Sequence, residues 1–181
     1  MIRHIALLTF ALTAMAAPLK VLIIDGQNNH AWQKTTPVLQ QILLGSGRFT
    51  VEVATTPAQG ADMSSFHPDF SAYDVIVLNY NGDAWSKSTN EAFEAYVKKG
   101  GGVVSYHAAD NAFPEWKGFQ EMIAVGGWGN RTTDAFGPMI RFRDGKPVLD
   151  STSKRCGNHG KRLPFAVTMR DPKHPIAKGM P

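Results

Sequence analysis

The chain reads as an α/β protein of flavodoxin-like or doubly wound type, a mostly parallel sheet with flanking helices. Two observations predict this. Short runs dominated by apolar residues, at 19–25, 75–78 and 103–106, have the look of strands buried on both faces. Between them lie segments with helical spacing of apolar residues and turn residues at their ends, and strand–helix alternation with short loops selects a parallel sheet.

The first strand, 19–25, ends in Asp25-Gly26 and runs into a polar loop up to Trp32. Thr36 has the chemistry of an N-cap and Pro37 that of a first helical residue. A helix is therefore expected from Pro37, with Val38, Leu39, Ile42 and Leu43 on one face and Gly45 at its end. Residues 49–54 alternate and form the second strand. A loop with Pro57, Gly60 and Pro68 leads to the third strand, 75–78, which ends in Asn79-Tyr80-Asn81-Gly82-Asp83. Ser88-Thr89-Asn90-Glu91 has capping-box spacing, and Phe93, Tyr96 and Val97 supply the stripe of a helix that Gly100 closes. The fourth strand is 103–106. Because Gly100-Gly101-Gly102 precedes a strand, it stops a helix and does not cradle a phosphate; no Walker or dinucleotide fingerprint is present. Further on, 119–125 reads as a short helix, 139–150 as a hairpin turning at Asp144-Gly145, and 165–169 as another strand. Residues 174–181 are loop-like and close no element, the pattern of a domain cut short at its C-terminus.

Residues 1–16 carry Arg3, an apolar stretch over 5–14 and Ala14-Met15-Ala16, the features of a secretory signal peptide. The remainder, 17–181, is expected to be one α/β domain, periplasmic or secreted. The apolar stretch is too short to span a membrane, so no stable membrane insertion is expected. A single Cys156 excludes an intrachain disulfide and a cysteine-rich zinc site. Residues 140–181 hold ten basic and three acidic side chains, a net +7. Without a nucleic-acid fold signature or regular aromatic spacing, this reads as a solvated basic face, and nucleic acid is not expected as a partner.

Open α/β sheets bind ligands at the carboxyl ends of their strands. Three loops should meet there, 26–32, 79–85 and 107–116, bringing His30, Asp83, His107 and Asp110 together; His159, flanked by glycine-rich sequence, can approach them. Imidazole and carboxylate are the ligand types of zinc and similar divalent ions, and three such ligands leave one position for water or a substrate oxygen. On this reading His30, His107 and His159 hold a divalent metal, zinc first, while His107, Asp110 and Asp83 are the catalytic candidates. No zinc signature fixes the spacing, and ordinary hydrogen bonding of each histidine is the competing reading. Asp83 and Asp110 are the one carboxylate pair on this edge that a glycosidase could use. Trp32, Trp85 and Trp116 fall in the same loops as Asn29, Asn81 and Asn111. Ring faces beside carboxamides suit a sugar, whose C–H face packs on an aromatic ring while its hydroxyls need polar partners. For any single tryptophan, pinning a loop to the core is the alternative role.

The segments Lys20-Val21-Leu22-Ile23-Ile24-Asp25-Gly26 with Asn29-His30, Asn79-Tyr80-Asn81-Gly82, the run from Gly100 to His107, and Asp171-Pro172 followed by His174-Pro175-Ile176 together resemble the trehalose-utilisation, or ThuA-like, family. The similarity extends over nearly all of 19–181. It implies a fold like that of the class I glutamine amidotransferases, in which a nucleophilic cysteine occupies the elbow after a central strand. His107 takes that position here, so glutaminase activity is not expected. The resemblance also implies a longer family domain, with further strands and a second polar loop after the His-Pro-Ile segment. The combined expectation is an exported, sugar-processing protein, a metal-assisted hydrolase or isomerase acting on a disaccharide or sugar derivative such as trehalose. The alternative is a non-catalytic carbohydrate-binding or accessory domain that uses the tryptophans and asparagines.

Overall fold

Val21, Leu22, Ile23 and Ile24 are at most 2% exposed, and burial on both faces puts their strand, β1 (Leu19–Asp25), inside the sheet. In the computed structural model, which describes residues 17–124, 132–153, 161 and 163–179, β1 pairs in parallel with β2 (Phe49–Thr55) on one side and β3 (Val75–Leu78) on the other. β4 (Gly102–Ser105) pairs in parallel with β3, and the order is β2-β1-β3-β4.

Alternate strand residues point to opposite faces, which divides the core in two. Val21, Ile23 and Val77 pack under Leu39 and Leu43 of α1 (Trp32–Gly45), the crossover from β1 to β2. On the other face, Leu22, Ile24, Ile76 and Leu78 pack with Phe93 and Tyr96 of α2 (Lys87–Lys98), the crossover from β3 to β4, and with Phe66, Phe70, Tyr80, Trp85, Phe113 and Phe119. From β1 the chain leaves toward one edge of the sheet and from β3 toward the other. The crevice between the carboxyl ends of β1 and β3 is therefore the topological switch point of the fold.

Three expectations are corrected. Helix α1 begins at Trp32, and Pro37 lies inside it. The buried Thr36 hydroxyl does not cap a helix; it accepts a hydrogen bond from Asn79 Nδ2, so a tertiary contact has taken the group that the local signal assigned to a cap. The cap of α2 is Ser86, whose Oγ accepts from Thr89 N, two residues before the expected Ser88. Residues 165–169 form no strand. Leu163, Phe165 and Val167 alternate in the sequence but are 68%, 84% and 81% exposed, and no described strand offers their backbone a ladder.

The expected hairpin is present as β5 (Met139–Arg143) and β6 (Lys146–Asp150), antiparallel and turning through Asp144 and Gly145, both at positive φ. Between β4 and the hairpin lie α3 (Lys117–Ile123) and α4 (Thr133–Phe136). Arg170 Cζ sits 3.2 Å from the ring centroid of Phe142, which ties the segment after the hairpin to β5. No helix among the described residues is long and apolar enough to cross a membrane. The expected signal peptide, Cys156 and His159 lie outside the described residues.

The outer strand β2 is fastened by a side-chain bond, Tyr73 Oη donating to Glu52 Oε2 at 2.7 Å. That bond, with burial and the charge of Glu52, holds the proton on Tyr73 and pushes its pKa up to about 12. A phenol whose folded pKa is raised adds stability that is complete below the unfolded value of about 10 and is lost as pH rises through the folded value. Tyr73→Phe should therefore flatten the fall in urea midpoint between pH 10 and 12. An unchanged slope in that window would count against the bond.

Candidate functional site

The site grows from the ends of β1, β3 and β4. Asp25, 2% exposed, closes β1 and accepts from Thr55 Oγ1 at 2.7 Å across the β1–β2 seam. Gln27 turns inward: its Nε2 donates to the Pro57 carbonyl and its Oε1 accepts from Asp83 N at 2.8 Å. Gly82 passes so close above it that a Cβ there would lie 2.2 Å from Gln27 Oε1 and 2.3 Å from Gln27 Cβ. The loops after β1 and β3 are thus joined at their bases without a charged pair.

Above this base the two loops are laced by carboxamides. Asn28 Nδ2 donates to Asn79 Oδ1 at 3.2 Å. Asn29 N donates to Asn81 Oδ1 at 3.1 Å, and Asn81 Nδ2 returns a bond to Asn29 Oδ1 at 2.8 Å. Asn79, 2% exposed, spends both amide hydrogens on α1, one to Thr35 Oγ1 and one to Thr36 Oγ1. His30 follows at the rim. Its backbone is held at both ends, N donating to Asn28 Oδ1 at 2.9 Å and O accepting from Trp32 N at 2.8 Å.

His107 comes from the other side of the crevice. The last rung of β4 is Tyr106 N to the Leu78 carbonyl, and the chain then breaks into a 3-10 turn, His107–Asn111. His107 stands at φ 51°, in the left-handed region that a residue with a Cβ seldom occupies. A strand that stops at a left-handed residue and enters a helical turn is an elbow, which lifts the side chain out of the sheet plane. The exposed His107 ring meets the exposed His30 ring with centroids 4.6 Å apart and planes at 41°. The structure therefore brings together two of the expected histidines at the switch point.

The other expected residues divide. Asp110 and Asn111 are half-buried in the same 3-10 turn as His107. Asp83 is a fastener: Oδ2 accepts from Gly60 N at 2.6 Å, and its carbonyl accepts from Tyr80 Oη at 2.6 Å. Burial first, then the charge of Asp83, raises the Tyr80 pKa, so this phenol stays a donor. Trp32 is half-buried at the start of α1, next to His30 in sequence. Trp85 faces the core, which corrects its expected role as a sugar platform, and Trp116 packs against the same core while half-buried. Trp85 is 4% exposed and packs against Phe66, Phe70, Tyr80, Phe93 and Phe113. The Trp116 ring packs on Phe93, Phe113 and Phe119, and its Nε1 donates to Glu94 Oε1 at 2.8 Å. Trp85 presents no free face to a ligand in the crevice, and Trp116 is half-buried. His159 lies outside the described residues. Among the described residues, no three of His, Cys, Asp and Glu form a group that could hold a metal ion.

Sequence reasoning passed over Gln27 and Asn79. Their signal was present as a symmetry: Gln27-Asn28-Asn29 follows one buried strand and Asn79-Tyr80-Asn81 follows its neighbour. Carboxamides at matching heights on adjacent parallel strands are placed to bond one another.

Comparison with known proteins agrees with this architecture. The family described as ThuA, trehalose utilisation, matches residues 20–181. A crystal structure of a ThuA-like protein from Parabacteroides merdae is 50% identical, with a TM-score of 0.86 over 91% of this chain; the chain spans 59% of that protein's length. A ThuA-like protein from Bacteroides uniformis matches at 25% identity over 62% of this chain and 46% of its own, with a TM-score of 0.44. No curated protein matches. With its family match over almost the whole sequence and the same fold as a solved relative at half identity, the chain belongs to the ThuA, or trehalose-utilisation, family.

Proposed function

We propose that this ThuA-family protein is an exported sugar-processing enzyme whose reaction centre is the His30–His107 pair. The observation that carries the reading is the 4.6 Å approach of two exposed imidazoles, from the segments after β1 and β4, at the switch point of a doubly wound sheet. One of them is mounted on a left-handed elbow. Carboxamides of Asn29 and Asn81 lie in the same loops as His30 and the β3 end, and they supply donors and acceptors for sugar hydroxyls once a ligand displaces their mutual bonds. Asp110, in the same turn as His107, is the candidate for moving a proton.

The pair also fits a divalent ion. Two imidazoles on a tetrahedral zinc, at nitrogen distances of about 2.0–2.1 Å, have ring centroids roughly 5.2 Å apart, so the 4.6 Å pair would open slightly to take one. His30 and His107 would be two ligands and His159 the third, and a bound ion would supply Lewis acidity toward a sugar oxygen. Burial of Trp85 weighs against the accessory-domain alternative, which needed it as a binding platform.

The test uses the full-length protein. Calorimetric zinc titration is combined with product analysis on trehalose and related disaccharides, with and without chelator. The expected result is about one zinc per chain, lost in His107→Ala, and sugar products that vanish with chelator. Sub-stoichiometric zinc that His107→Ala leaves unchanged overturns the metal; sugar binding without turnover, indifferent to chelator, overturns the enzyme.

A further inference from the structure

We infer that Asn79 is a positioning residue, which sets His30 against His107 by fixing the amide of Asn28. The inference rests on the reading of the His30–His107 pair as the site. The Asn28 carboxamide can hold His30 only in one orientation. Its oxygen must face His30 N, which it accepts at 2.9 Å, so its nitrogen must face the other way. What it meets there is Asn79 Oδ1, at 3.2 Å. A rotated Asn28 would set oxygen against oxygen on one side and N–H against N–H on the other.

Asn79 is held in turn by side chain and backbone. Its Nδ2 donates to Thr35 Oγ1 at 2.9 Å and to Thr36 Oγ1 at 3.1 Å. Its backbone N donates to the Ile24 carbonyl at 2.9 Å, continuing the β1–β3 ladder by one rung. Asn79 and Thr36 are 2% and 5% exposed, so water does not replace a lost partner cheaply. The polar chain therefore runs from two hydroxyls on α1, through Asn79 and Asn28, to the backbone of His30, and every amide hydrogen of Asn79 is assigned. Trp32 N holds the carbonyl of His30 from the opposite side. The imidazole at 30 is left with only its side-chain torsions free, and its closeness to the His107 ring follows from where this chain places its Cα.

A purely structural Asn79 would lower stability and leave the two rings together. The test is nuclear magnetic resonance of the metal-free, full-length protein, reading the cross-relaxation between ring protons of His30 and His107, alongside zinc affinity. In Asn79→Ala and in Asn28→Ala, the ring-to-ring signal should disappear and zinc should bind roughly tenfold more weakly, as for other groups that orient a ligand. The double variant should be no worse than either single one, because both break the same chain. A native ring-to-ring signal in Asn79→Ala, or losses that add in the double variant, overturns the inference. Should Asn79→Ala fail to fold, Asn28→Ala decides alone, since Asn28 sits outside the core, and a native signal there overturns it. A wild-type protein that keeps the ring-to-ring signal but shows no His107-dependent zinc binding would instead overturn the metal reading, leaving the positioning to be judged on the signal.

Discussion

Gly26→Ala is expected to destabilise the protein by about 3–5 kcal/mol, combining a close clash with a strained φ. Gly26 stands at φ 115°, a conformation that L side chains rarely adopt. A Cβ built there would lie 2.4 Å from Thr56 Oγ1, 2.7 Å from Thr56 N and 2.8 Å from Thr56 O. Two of those three atoms are backbone, so no rotamer change relieves the contact. Thr56 N also donates to the Asp25 carbonyl at 2.9 Å, which makes the obstructed residue the last rung between β1 and β2. The urea midpoint measures the loss, and Gly47→Ala is its control. Gly47 has φ 68° but open space around its Cα, so its alanine meets strain without a clash and should cost about 1 kcal/mol. Equal midpoints for the two variants would show that the β1–β2 seam yields where the geometry says it cannot. If Gly26→Ala remains folded, the loop that begins at Gln27 must shift, and with it His30.

The apolar runs made the sheet legible, because a strand covered by helices on both faces has little room for a polar residue. Val21 to Ile24 and Ile76 to Leu78 are buried as their composition requires. What the sequence hid was which partner a versatile group would choose. Thr36 followed by Pro37 has the form of a helix start, yet the hydroxyl serves Asn79 and the helix begins one turn earlier. Trp85 and Trp116 sit in loops beside the expected site, and a linear reading does not show whether a ring turns to the crevice or to the core. The core won, because Phe66, Phe70, Phe93, Phe113 and Phe119 already formed an aromatic pocket that excludes water. The candidate site was legible as a meeting of loops. That His30 and His107 come within ring contact, and that amides hold one of them, depends on backbone geometry at Asn28 and His107 which composition does not encode.

His107→Gly should be more stable than His107→Ala, while both lose turnover. The native backbone at 107 is left-handed, and for a residue with a Cβ this conformation costs roughly 1–2 kcal/mol. Glycine adopts it without that penalty, so His107→Gly is expected to raise stability by about 1 kcal/mol over His107→Ala, which keeps the strain and loses only the ring. His107 is exposed and its ring touches His30 and Tyr106, so little packing is lost in either case. Both variants remove the imidazole, and on the proposed reading both lose turnover by about 10²–10⁴-fold, the usual contribution of a positioned acid or base. Urea unfolding and product formation on the same preparations decide the matter. A glycine variant less stable than the alanine variant would mean that the elbow is not strained. Turnover surviving in His107→Ala would mean that the ring is not used. A glycine variant that gains stability and loses turnover would mean that the chain keeps an unfavourable backbone conformation for the sake of the imidazole it carries, which is how strain concentrates at sites that do chemistry.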